Sequence, residues 1–193
     1  MTTPEVTDPV VLAQSEYGLA FALLAQMQVD LSDTRGGLPS TCVVYPGTTD
    51  PPMYECPEMA WVVVQSMRPH DGEAPFGGMV RPGRPAVPGW MVSLRAGVYR
   101  TFPVKDKHAM PAAVVLDSLT RDEADDRLAL VQAASLNPYW QQAEAWPIVG
   151  TARGLAVQGG RHGVSLDVQV FMPSLCSAPD EVFPKFAGDP RNK

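Results

Sequence analysis

A proline- and glycine-rich stretch of 21 residues separates two strand-like segments in the middle of the chain. This stretch, Pro69 to Gly89, holds five prolines and five glycines. The segment before it, Trp61 to Arg68, is apolar on both alternating faces, which is typical of an interior strand covered on both sides. The segment after it, Trp90 to Phe102, alternates more cleanly and predicts a strand with one buried face. Structureless connections this long are uncommon in compact domains, so we expect a long arm between two neighbouring strands.

The remaining sequence predicts two main helices. Helical spacing of apolar residues predicts the first over residues 9–30, with Pro9 at its first position. A short helical piece is expected at Pro111 to Leu119, and the capping-box pattern Thr120 to Glu123 predicts that the second main helix starts there. Asn137-Pro138 should break or kink that helix. The predicted apolar stripe of the first helix consists of Val10, Tyr17, Phe21, Leu24 and Met27.

Three further strands complete the predicted domain. Thr41 to Tyr45 indicates a short strand, and Ile148 to Gln158 with Val164 to Met172 predicts a closing hairpin. The order of elements predicts an α+β fold, a mainly antiparallel sheet of about four to five strands with two main helices on one face. We expect one domain over residues 1–172 that includes the loop at 69–89, followed by an extended proline-rich arm over 173–193.

Composition excludes several classes of protein. The chain has 193 residues, of which 45% are hydrophobic, and this is enough for one proper core. No apolar run approaches the roughly 18 residues of a spanning helix. The segment Met1 to Asp8 lacks the features of a signal peptide, so we expect a protein that stays in the cytoplasm where it is made and contacts no membrane. A formal net charge of −6 disfavours broad contact with nucleic-acid phosphates.

Residue types that perform chemistry are sparse and scattered. Cys42, Cys56 and Cys176 are odd in number and widely spaced, which favours reduced thiols over a zinc site or a disulfide. Neither a P-loop nor a nucleophile elbow is present. Three histidines fall in predicted turns, where solvated side chains are expected: His70, His108 and His162. The sequence therefore predicts no enzyme, no catalytic residue, no cofactor and no metal site.

Charged residues on the predicted strands and second helix have an ordinary surface interpretation. Arg68, Arg95 and Arg100 are spaced along the two central strands, as expected of solvated sheet residues. The carboxylate pairs Asp122-Glu123 and Asp125-Asp126 lie near a predicted helix start, where the helix dipole favours negative charge. Consecutive residues of a helix point in different directions, so these pairs indicate a solvated face in preference to paired catalytic acids.

The loop and the C-terminal arm offer the best candidates for contact with a partner. Phe76 and Met79 are apolar residues that a monomer would expose, and Arg81 and Arg84 add a modest basic group, so the loop predicts an interface anchor. A loop folded back on its own sheet is the alternative. The polar face of the second central strand meets water or another subunit. The residues expected to contact a neighbour are Phe76, Met79, Arg81, Arg84, Arg95, Tyr99, Phe183 and Phe186.

Two runs around the loop resemble a known family. The run Glu55 to Val64 (ECPEMAWVVV) and the run Pro88 to Arg100 (PGWMVSLRAGVYR), with Pro103 after them, resemble the neck and tail terminator proteins of long-tailed actinobacterial phages. The resemblance extends over about residues 10–172 and carries through to the second helix and the closing hairpin.

The resemblance implies a structural virion protein without catalytic activity. Such a protein forms a ring, expected to be a hexamer, that caps the tail tube, and the ring assembles in the bacterial cytoplasm. The implied partners are other copies of the chain, the tail tube protein and the head-to-tail stopper or connector protein, while genomic DNA passes through the channel without specific binding. Alternatives are another neck component, such as a stopper or head completion protein, and a soluble protein-binding module. A small hydrolase is the rival from another class, and the residues it needs are missing.

Overall fold

The computed structural model describes residues 15–52, 58–70, 89–103, 111–142, 145–158 and 160–173. Within these residues the chain forms a single five-stranded sheet and three helices. In chain order the elements are α1 (Glu16–Ser32), β1 (Thr41–Tyr45), β2 (Met59–His70), β3 (Gly89–Thr101), α2 (Ala113–Ser135), α3 (Pro138–Gln142), β4 (Trp146–Gln158) and β5 (Arg161–Pro173).

The strands lie in the order β1-β2-β3-β5-β4. The pair of β1 and β2 is parallel, while the other three pairs are antiparallel, so the sheet is mixed and mainly antiparallel. Strand β3 occupies the centre and β2 is interior, as its two apolar faces predicted. The two long helices pack on one face of this sheet, α1 over β1 and β2 and α2 over β4 and β5. The predicted α+β class and architecture are confirmed.

The main core lies between the sheet and the two helices. The alternating residues Val92, Leu94, Ala96 and Val98 of β3 all point into it, as the period of two predicted. Strand β5 supplies a matching row on the same face: Val164, Leu166, Val168, Val170 and Met172. This face of the sheet is therefore buried under the helices. Only the other face and the ends of the strands leave sheet residues available to a partner.

Helix α1 begins later than predicted and buries a partly different set of residues. Ser15 is extended and its hydroxyl accepts a hydrogen bond from the backbone N–H of Gly18 at 2.9 Å, which makes Ser15 the N-cap and Glu16 the first helical residue. Tyr17 and Phe21, predicted to be buried, are exposed and stack on each other with ring centroids 6.4 Å apart. Leu24 and Met27 of the predicted stripe are buried, and the other buried apolar residues of α1 include Leu19, Ala20, Leu23 and Leu31.

Helix α2 is one continuous helix, so the predicted start at a capping box was wrong. The hydroxyl of Thr120 donates to the carbonyl of Leu116, one turn earlier, at 2.9 Å and is used inside the helix. The predicted break at Asn137-Pro138 is confirmed. The buried amide of Asn137 donates to the carbonyl of Ala22 at 3.0 Å and accepts from the backbone N–H of Tyr139, so it fixes α1, the helix break and α3 together.

Candidate interaction surfaces

The sheet face away from the helices begins with a small second core. Trp61 and Tyr99 pack together with ring centroids 5.5 Å apart and are buried with Met59 and Val63. The Trp61 ring lies across Gly97 of β3, and a Cβ atom at Gly97 would stand 2.6 Å from Cε2 of that ring. Glycine therefore makes room for the indole. This end of the face is packed and is not an open docking surface.

Tyr99 was expected to contact a neighbouring subunit, and the structure places it inside its own subunit. The residue is 1% exposed, and its hydroxyl donates to the carbonyl of Pro51 at 2.8 Å. The segment at Pro51 therefore covers the end of the Tyr99 side chain, while Tyr99 also lines the cleft beside that segment. Between that segment and the end of β4 lies a cleft of about 340 Å³, with Pro52 and Leu155 among the residues that line it.

Charged side chains occupy the middle of the helix-free face. Arg95 donates from Nε to Asp167 at 2.7 Å and from Nη1 to Asp50 at 3.3 Å. Arg153 approaches the other oxygen of Asp167 at 3.6 Å. The hydrogen bond that Arg95 donates to Asp167 raises the pKa of the Arg95 guanidinium above its usual range, against a smaller opposing effect of burial. The Arg95 side chain is 30% exposed, so it reaches the surface but is already paired within the subunit.

Aromatic rings gather where the long strands end. Arg68, Met91, Phe171 and Trp146 lie in one row across four strands, on the face without helices. Phe171 is buried, with Trp146 stacked on it at 5.6 Å and His70 against it edge-on at 5.3 Å. Trp146 remains 56% exposed. We call the group of Arg68, His70, Trp146 and Phe171 the strand-end surface.

The register of the strands shows which segments leave the sheet at this end. His70 pairs with Gly89, and Gly89 pairs with Pro173. Strand β2 is thus longer than predicted and β3 begins one residue earlier, so the connection between them is reduced to residues 71–88. That connection and residues 174–193 both leave the sheet beside the strand-end surface. The other six predicted contact residues lie outside the described part of the chain: Phe76, Met79, Arg81, Arg84, Phe183 and Phe186.

The largest surprise is a buried ion pair on the opposite face. Arg100, predicted to be solvated, is 5% exposed and binds both carboxylate oxygens of Asp126, at 2.9 Å through Nε and 2.7 Å through Nη2. It also donates to the carbonyls of Gly36 and Gly37, at 3.0 and 2.8 Å. Burial alone lowers the pKa of Arg100, but the hydrogen bonds and charge of Asp126 outweigh it and the net shift is upward. This group joins β3, α2 and the end of α1.

His162 is also buried, which corrects its predicted place in a solvated turn. It belongs to β5, is 5% exposed and packs edge-on against Phe102 with ring centroids 5.9 Å apart. Its Nε2 atom is buried and has no hydrogen-bond partner among the described residues. Burial lowers the pKa of His162, against the raising effect of Glu123 and Asp126. The alternation of β5, extended two residues before Val164, would have placed this histidine on the inner face.

The described residues offer little for chemistry. Among them, no group of three or more histidine, cysteine, aspartate or glutamate residues is arranged to hold a metal ion. Cys42 is a half-buried free thiol in β1. No helix in this part of the chain is long and apolar enough to cross a membrane. The described surface does present an aromatic and charged group of side chains at the ends of the strands.

Comparison with models of protein families and with curated proteins finds nothing that matches this sequence.

Proposed function

We propose that this protein is a structural subunit of a phage neck, a tail terminator that forms a ring on the tail tube. The proposal starts from the sequence resemblance, whose two runs contribute β2 and β3. These strands are adjacent, and the Trp61 ring in one run packs against Gly97 in the other, where a larger residue would clash with it. The resemblance therefore rests on residues with a joint structural role at the centre of the sheet.

One observation carries the proposal beyond the resemblance. The segment 71–88 and the segment 174–193 leave the sheet at the same end, because His70, Gly89 and Pro173 are partners across three strands. A ring is built from heterologous contacts, in which one part of a subunit meets a different part of the next. Two long segments at one end of a compact sheet provide such an asymmetric contact.

The charge of the chain agrees with a place around a DNA channel. The net charge is −6, and the pI of the sequence is about 5.0. An acidic lining repels the phosphate backbone, so that a genome passes without being held. Two of the arginines are also neutralised within the subunit, Arg95 by Asp167 and Arg100 by Asp126.

Native mass spectrometry and negative-stain images of the purified protein test the assembly. We expect closed rings, with six copies as the resemblance implies, and binding of these rings to the ends of purified tail tubes. A protein that stays monomeric at low salt and high concentration contradicts the ring. Rings that do not bind the ends of tail tubes contradict the proposed terminator function and favour another neck component, such as a head-to-tail stopper.

A further inference from the structure

We propose that the strand-end surface is the docking site for residues 174–193 of a neighbouring copy of the chain. This inference deepens the proposed function and rests on it, because it names the contact that joins one subunit to the next. Its receptor is made of described residues on three strands, and its ligand is the C-terminal segment that starts directly after β5.

The receptor is the strand-end surface, where packing holds the aromatic rings of Phe171 and Trp146 in place. Phe171 is 3% exposed, and Trp146 is stacked on it with the two ring planes 26° apart. A Cβ atom at Gly89 would stand 2.8 Å from the Phe171 ring, so glycine in the neighbouring strand makes room for that ring. The strand-end surface therefore presents one face of the Trp146 indole, while the other face is stacked on Phe171. Rigid aromatic anchors of this type lose little entropy on binding and are common at the centres of interfaces.

Residues 174–193 have the composition expected of a segment that binds the strand-end surface. The segment contains Val182, Phe183 and Phe186, which are apolar, in a stretch with three prolines. Asp180 and Glu181 precede the aromatic residues, and the exposed Arg68 lies in the same cross-strand row as Phe171 and Trp146. Apolar rings on the indole and carboxylates on Arg68 give a match in both apolar character and charge.

The length of the segment fits an exchange between copies. Residues 174–193 number 20 and span roughly 65 Å when fully extended. The segment starts three residues after Phe171, so to cover this surface in its own subunit it must reverse direction after it leaves β5. In a neighbouring copy it meets no such restriction, and a head-to-tail exchange repeated around a ring closes the assembly.

Photo-crosslinking in the full-length protein tests this contact. A photoreactive phenylalanine, p-benzoylphenylalanine, replaces Trp146, and rings are assembled from an equal mixture of ¹⁴N- and ¹⁵N-labelled copies. We expect crosslinked peptide pairs of mixed isotope composition that join position 146 to residues 174–193. The same probe at Tyr17, which is 53% exposed on α1, is the matched control and should not capture that segment.

Two sets of variants identify the anchoring residues. Phe183→Ala with Phe186→Ala should lower the crosslink yield by at least about tenfold, as expected for interface anchors. Arg68→Glu should lower it several-fold, and adding Asp180→Lys and Glu181→Lys should restore it, which a change in folding alone would not do.

The outcomes separate this inference from the proposed function. Rings that form normally but give no crosslink from position 146 to the C-terminal segment overturn the docking site and leave the terminator proposal standing. Crosslinks of a single isotope composition show that the segment binds its own subunit, which overturns exchange. A protein that forms no ring but gives the mixed crosslink in dimers supports the docking site and contradicts the terminator.

Discussion

Two arginines of the central strand form ion pairs with different consequences. Arg95 and Arg100 are five residues apart on β3, so their side chains point to opposite faces of the sheet. The Arg95 side chain is 30% exposed beside Asp167, which is 33% exposed, whereas Arg100 and Asp126 are 6% and 2% exposed. Both pairs have nitrogen–oxygen distances of 2.7 Å. The buried pair of Arg100, with two hydrogen bonds to Asp126, holds the fold together, whereas the partly exposed pair of Arg95, with one hydrogen bond to Asp167, leaves that side chain near the surface.

The largest effect is expected from Arg100→Met. Both oxygens of Asp126 accept from Arg100, so the variant leaves a buried carboxylate without its partner and two glycine carbonyls without a donor. Breaking one side of a buried pair costs about 3–5 kcal/mol. Urea denaturation should show a loss of that size in the free energy of unfolding.

The double variant Arg100→Met with Asp126→Leu is the matched control. It removes both charges, and replacement of a whole buried ion pair by apolar residues is often close to neutral. Most of the lost stability should return. A loss below about 1 kcal/mol in the single variant would place Arg100 in the same class as exposed ion pairs and remove the contrast with Arg95.

The next largest effect is expected from Gly97→Ala, on the same face as Arg95. The added methyl would meet the Trp61 ring and stand 2.8 Å from the carbonyl oxygen of Val164. Forcing extra volume into a packed site costs about 1–3 kcal/mol. Ser93→Ala, on the same strand and face but half-buried, should change the free energy of unfolding by less than about 0.5 kcal/mol. Equal effects of the two variants would mean that the Trp61 cluster is not a core.

The free energy of unfolding should depend on pH through His162, on the sheet face that the helices cover, and not through groups on the face of Arg95. Burial lowers the pKa of His162 in the folded chain, so the unfolded chain takes up the proton first as the pH falls. The stability that His162 supports is complete above about pH 6.5 and is lost as the pH drops toward the lowered folded-state pKa. The charged groups that act on this histidine are Arg100 of β3 and the α2 carboxylates Asp122, Glu123 and Asp126.

Unfolding free energies measured between pH 7.5 and 5.5 test this dependence. The wild type should lose stability over this range, and His162→Leu should lose less. Arg95→Ala should keep the slope of the wild type. An unchanged slope in His162→Leu would assign the pH dependence to other groups.

The alternation of buried and exposed residues continues past the apolar run of each of two strands. Val92 to Val98 gave the buried face of β3 correctly, and continuing the same period by two residues reaches Arg100. Extending β5 backward from Val164 reaches His162 in the same way. Charge and a nearby glycine-rich turn suggested solvent for these two residues, yet their positions in the strands placed them inside. Period is a stronger guide than residue type where a strand continues past its apolar run.

Other features could not be obtained from sequence because they depend on distant residues. The burial of Tyr99 depends on Pro51, which is 48 positions away along the chain. The use of the Thr120 hydroxyl depends on whether the preceding turn is already helical, and a capping-box pattern looks the same in both cases. The strand-end surface required the register of four strands, since a shift of one residue would move every side chain to the other face.

The smallest effect on stability, and the most informative one for assembly, is expected from Arg95→Ala. Asp167 keeps Arg153 at 3.6 Å, and Asp50 is partly exposed, so no carboxylate is left buried alone. The loss in the free energy of unfolding should stay below about 1 kcal/mol, as for other exposed pairs. Because the fold survives, native mass spectrometry of the same variant reports on assembly alone. A weakened ring would establish Arg95 as a contact residue, whereas an unchanged ring would show that its pairing with Asp167 serves only the subunit and would leave the strand-end surface as the site where copies meet.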